Sequence, residues 1–125
     1  MPGMPRPTSI FLLLLTAAVA LAAPLSSVRA ADSVLSEQGR RQLGFAWDEL
    51  RAGQLDRAQL SAERALNADP TLHEARLVLA LVHEGLRDWG RSQYALEDYL
   101  RGLAGLSPRT EAGELAARLK KKGKW

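Results

Sequence analysis

The sequence has 125 residues, 46% of them hydrophobic and 25% charged, with no cysteine and a formal charge of +3. That length admits one domain at most beside a targeting segment, and the missing thiols exclude disulfides, thiolate metal sites and cysteine nucleophiles. Without Arg6 and Arg29 the 17 basic residues fall to 15 against 14 acidic ones, a net +1 that argues against a nucleic-acid surface.

Residues 1–30 read as a secretory signal peptide. Arg6 stands near the amino terminus, Ile10 to Ala23 is an uncharged run of 14 residues, and Pro24 to Ala30 breaks that run before a small side chain. A membrane-spanning helix needs ~20 apolar residues, so the run is short for an anchor. Val28-Arg29-Ala30 places cleavage after Ala30, with Ala31 as second choice. The expected location is periplasmic or secreted; the alternative is a domain anchored by the uncleaved segment.

Residues 31–36 are expected to be a short mobile leader, with Ser33 or Ser36 able to cap the next helix. From residue 37 to 52, Leu43, Ala46, Trp47 and Leu50 fall at helical spacing on one side, flanked by Phe45. Gly39 and Gly44 each weaken this helix by up to ~1 kcal/mol relative to alanine, and Gly53 closes it. Between Gly53 and Pro70 the small residues Ala58, Ala62 and Ala65 follow Leu55 along one face, and Asp69-Pro70 ends the helix by removing an amide donor.

Thr71 and Glu74 are spaced as a capping box for a third helix. Its stripe Leu72, Ala75, Leu79, Val82 and Leu86 is joined by a second apolar side at Leu77 and Leu81, so this helix wants two neighbours. Arg87-Asp88 makes the next turn, with Asp88 capping a helix from Trp89 to Leu103 whose buried candidates are Trp89, Ala95, Leu96, Tyr99, Leu100 and Leu103. Ser107-Pro108 starts a last helix over 108–122, with the narrow apolar face Ala112, Leu115, Ala116 and Leu119. A tail, 123–125, follows. No run alternates as a strand would, so the expected class is all-α.

At a lag of 34 residues Ala46 matches Ala80, Gly53 matches Arg87, Leu55 matches Trp89, Ala58 matches Ser92 and Leu66 matches Leu100. That period, the small residues at the crossing and the closing proline resemble the tetratricopeptide repeat. The resemblance covers 37–122, with units 39–72 and 73–106; the second departs from the pattern in having Ser92 for the packing alanine and no proline until Pro108. It implies a right-handed stack of two helical hairpins plus a C-terminal capping helix, acting as a protein–protein interaction or scaffolding module.

By that resemblance the concave groove is lined by Arg40, Leu43, Trp47, Leu50 and Arg51 of the first unit, and by Glu74, Leu77, Leu81, Glu84 and Gly85 of the second. Trp47, Leu50, Leu77 and Leu81 would receive an apolar helix or peptide, with Arg51 and Glu84 setting its register. The same apolar residues would instead be core if the leader or the capping helix folded over them. Clamping of a terminal carboxylate is not expected, because Leu43, Trp47 and Leu77 stand where lysine and asparagine would be needed. The alternative reading of function is an envelope-assembly or enzyme-accessory subunit that works through self-association or its convex face.

No catalytic residue, cofactor or metal is expected. His73 and His83 are about 280° apart around one helix, no serine sits in an elbow motif, and Glu63, Glu97 and Asp98 suit solvated helix faces. Lys120, Lys121, Lys122 and Lys124 complement the negative end of the last helix, and offer weak contact with an anionic membrane or an acidic partner.

Overall fold

The computed structural model describes residues 33–125, so the signal segment, its cleavage site and any anchor lie outside the described residues. The described residues form five helices and no strand. Helix α1 covers 33–51. It is followed by α2 (Leu55–Ala68), α3 (His73–Gly85), α4 (Trp89–Gly102) and α5 (Thr110–Lys121). The all-α expectation agrees with this.

Three boundaries differ from the sequence reading, each for a local reason. The expected leader is helical from residue 33, and Ser36 Oγ does not cap α1 but donates to Asp69 Oδ2 at 3.1 Å. Close packing holds this end of α1: a methyl on Gly39 would come within 2.8 Å of Leu72 and 3.1 Å of Asp69. The capping box at α3 is not made, because the Thr71 hydroxyl and amide both donate to Asp69 Oδ1 (2.6 and 3.0 Å). Those two bonds, the hydroxyl first, hold the Asp69 carboxyl below its ordinary pKa. The last helix starts at Thr110, not at Pro108, with no side-chain cap, and Ser107 is exposed. Of the expected caps Asp88 is present, its carboxylate accepting from Arg91 N.

Helices α2 and α4 begin 34 residues apart, at Leu55 and Trp89, and end 34 apart, at Ala68 and Gly102. The turns before them make the same bonds: Gln54 N to Glu49 O and Asp88 N to His83 O, both 2.8 Å, and Gly53 N to Leu50 O (3.0 Å) and Arg87 N to Glu84 O (2.9 Å). This closure needs a left-handed residue. Gly53 supplies it at φ 76°, but Arg87 must adopt φ 60° with a full side chain.

Helix α3 packs between α2 and α4, and its Ala75, Leu77, Val78, Ala80 and Val82 are fully buried. Small side chains permit the approach: Ala58, Ala62 and Ala65 on α2 and Ser92 on α4 have no exposed surface. Ser92 resolves the polar departure from alanine by donating to Ala80 O at 2.8 Å. At the far end of the same interface a methyl on Gly102 would run into the His73 ring. Helix α5 completes the core with Leu115 and Leu119, both fully buried. Two expected core residues are not enclosed: Leu86 lies in the turn after α3 and is 46% exposed, and Leu100 faces outward at 38%.

Replacing Arg87 by glycine removes the steric penalty of a left-handed side chain, worth ~1 kcal/mol. Arg87→Gly is expected to raise the urea midpoint without changing the slope, whereas Gly53→Ala lowers it by a comparable amount.

Candidate functional site

The concave positions expected from the sequence are sorted by the fold into a sealed part and an open part. Trp47 is 8% exposed and Leu77 0%; both belong to the core with Leu115 and Leu119. Leu43, Leu50 and Leu81 are half-buried against that core. An accessible groove running through Trp47 and Leu77 is therefore not what the fold presents; of the two readings left open by the resemblance, groove or core, these two residues take the core one. Arg51 is exposed, 3.4 Å from Asp48 and 5.8 Å from the Trp47 ring centre.

Two arginines account for the closure. Arg118 near the end of α5 makes a paired contact with Glu84 near the end of α3, Nε and Nη2 each 2.7 Å from a carboxylate oxygen. Arg109, just before α5, donates to Glu74 at 3.0 Å and to Glu111 at 2.9 Å, and its guanidinium lies 4.6 Å from the centre of the Trp47 ring. Since Glu74 and Glu84 mark the two ends of α3 in the same order as Arg109 and Arg118 along α5, the two helices run in the same direction. Ten residues of helix span about 15 Å, so the two pairs hold α5 over most of its length.

The guanidinium of Arg109 meets opposing effects. Burial disfavours its charge, but Glu74 and then Glu111 outweigh that, and its pKa is raised. The Arg118 pKa is raised too, chiefly by its hydrogen bonds to Glu84. Its backbone amide holds Arg109 a further way, donating to the Tyr99 hydroxyl at 2.9 Å. Beneath it, the Trp47 indole N–H is buried without a hydrogen-bond partner among the described residues.

The open part is a cavity of about 400 Å³ where α1, the start of α3 and the α4–α5 loop meet. Leu43, Leu72, Tyr99, Leu103 and Leu106 form its apolar wall, and Arg40, Glu74 and Arg109 its polar edge. Arg40, Leu43 and Glu74 were expected on the concave side from sequence. The loop residues were not, although Leu106, an isolated leucine after Gly105, is 72% exposed and was the available signal. The loop reaches the cavity through left-handed residues at Ala104 (φ 50°) and Gly105 (φ 91°).

A second furrow of about 410 Å³ lies between α2 and α4 over the back of α3, with Leu66, Leu79 and Tyr94 beside His83. Burial lowers the His83 pKa, Arg91 adds to the lowering, and Asp88 and Glu63 oppose it. Among the described residues no group of three His, Cys, Asp or Glu side chains is placed to hold a metal, and no helix is long and apolar enough to cross a membrane. Comparison of the chain with protein-family models, with curated proteins and with solved structures finds no match.

Two measurements follow from these contacts. A double-mutant cycle on Glu84→Ala and Arg118→Ala is expected to give a coupling of ~1 kcal/mol, the upper range for a pair with one exposed partner, shrinking in high salt. For His83 the unfolded chain binds a proton, with a pKa near 6.5, that the folded chain resists. Its contribution is thus complete above about pH 6.5 and lost as pH falls below it. Urea titrations from neutral to mildly acidic pH are expected to show this loss, and His83→Leu to flatten it.

Proposed function

We propose that the chain is an exported protein-interaction module, arranged as two tetratricopeptide-like hairpins, α1–α2 and α3–α4, closed by α5. Support for the arrangement comes from the common 34-residue offset of α2 and α4 and from the buried small residues Ala58 and Ser92 at corresponding positions. Support for export comes from the basic, apolar and small-residue order of residues 1–30. The proposed mechanism is reversible docking without chemistry.

The observation that carries the binding reading is the cavity beside Leu43. Its 400 Å³ is at the small end of the range for ligand sites, enough for one large apolar side chain of a helical or extended peptide. Burying such an anchor supplies ~1.5–3 kcal/mol. Glu74 and Arg109 at the edge offer an acceptor and a donor to the peptide backbone beside it. The proposed contact set is accordingly Arg40, Leu43, Glu74, Leu103 and Leu106, in place of a groove centred on Trp47 and Leu77.

A second reading, self-association through the convex face, is favoured by Leu60 and Tyr94. These stand 34 residues apart on α2 and α4 and are 47% and 65% exposed.

Photo-crosslinking separates the two. A benzophenone side chain at exposed Ser107 is expected to give a discrete adduct in an envelope extract, and one at exposed Arg57 none. Leu106→Glu, a change at the cavity mouth that leaves the core alone, is expected to abolish the adduct with the melting temperature unchanged. An adduct of twice the chain mass would favour self-association, and an adduct that survives Leu106→Glu would reject the cavity.

A further inference from the structure

All four lysines of the chain lie within its last six residues, and the fold places other groups beside them. At the end of α5, Gly123 N bonds Lys120 O and Lys124 N bonds Leu119 O, with Gly123 left-handed at φ 71°. This closure turns the tail back across the protein. Lys124 and Trp125 consequently share an open furrow of about 730 Å³ with Leu86, Arg87 and Trp89 of the α3–α4 turn. Lys122 Nζ stands 4.2 Å from the centre of the Trp89 ring. Leu86 and Trp125 are 46% and 43% exposed.

The charges here are one-sided. Asp88, the acidic residue of the furrow, is already engaged by the Arg91 side chain at 3.4 Å and by its amide. Arg87 and the lysines are exposed, and among the described residues no lysine takes part in an ion pair. Every ion pair there uses arginine, whose planar fork suits a defined carboxylate partner. Lysines on flexible stems are point charges, suited to a diffuse anionic field.

We propose that this end of the domain, formed by the lysines, Arg87, Trp89, Leu86 and Trp125, docks on an anionic lipid surface. Lysines near such a surface add attraction, while tryptophan settles at the boundary between headgroups and acyl chains, with its ring in apolar surroundings and its N–H in polar ones. An exposed leucine and an exposed indole beside the cations supply the apolar contact that charge alone lacks. Helix α5 gains from the lysines through its dipole as well, but that accounts for neither the exposed Leu86 nor the return of Trp125 to the α3–α4 turn.

The test is flotation of the full chain with vesicles of phosphatidylcholine alone or mixed with phosphatidylglycerol. Binding through the Ile10 to Ala23 run is apolar and contributes to both, so the ratio of the two affinities reads the lysine end. That ratio is expected to be large at low salt and to collapse at high salt. The fourfold variant K120Q/K121Q/K122Q/K124Q should lower it by several hundredfold, since each lysine contributes roughly a factor of five. Leu86→Ser with Trp125→Ala, which spares every charge, should weaken binding to the phosphatidylglycerol vesicles severalfold and remove a tryptophan emission component quenched by brominated lipid. Equal affinity for both vesicles, or no change in the fourfold variant with helicity intact, would overturn the proposal. Full competition by soluble polyglutamate, with no quenching by brominated lipid, would instead assign the surface to an acidic protein.

Discussion

A helix that is apolar on two sides has to be enclosed from two directions, and α3 sets that requirement for the whole domain. Ala75, Leu77, Val78, Ala80 and Val82 leave it no large solvated face, and neighbours on both sides answer with side chains small enough to bring the axes close. On α2 the buried residues include Ala58, Ala62 and Ala65, and Leu55 closes on Gly85 of α3; on α4, Ser92 satisfies its hydroxyl on Ala80 O. Glycine marks the tightest points at the ends, Gly39 against Leu72 and Gly102 against the His73 ring. These contacts forgo the ~1.5–3 kcal/mol that a buried large side chain would give, in exchange for backbone proximity. The large buried residues Leu96, Tyr99, Leu115 and Leu119 supply that apolar area elsewhere.

The same enclosure decides how much surface is left for a partner. Leu115 and Leu119 bring α5 into the core, and the pairs of Glu74 with Arg109 and Glu84 with Arg118 align it along α3. Trp47 then lies under a guanidinium that two carboxylates hold in place. Trp47 and Leu77 are thereby spent on the core of their own chain. What stays open is the corner at which the α4–α5 loop, bent through Ala104 and Gly105, fails to follow the helices and leaves the cavity beside Leu43. The proposed binding role rests on that corner.

Charge is divided by type as well as by place. Arginine makes the ion pairs of the described domain, several across helices, while lysine is confined to the end of α5 and pairs with no acid there. A domain of mildly acidic body with an unpaired cationic tip has a preferred orientation in any anionic field. The cavity and the tip rely on different residues, so a partner in one leaves the other chemically unaltered.

Helical periodicity at Leu55, Ala58, Ala62 and Ala65, the second apolar side at Leu77 and Leu81, and the left-handed closure at Gly53 were legible because each depends on a few residues near in sequence. So was the cap at Asp88, which needs only the next turn. The start of α1, the partner chosen by Thr71 and the fate of Trp47 were not. Ser36 and Asp69 are 33 residues apart, and Arg109 reaches Trp47 from the far end of the domain, so only the packed chain could bring them together. Sequence by itself determined the middle of each helix and the main apolar side it buries, since apolar spacing is a local property. Tertiary structure alone decided what covers each side, because Leu115 and Leu119 offer no local sign of the helix they will bury.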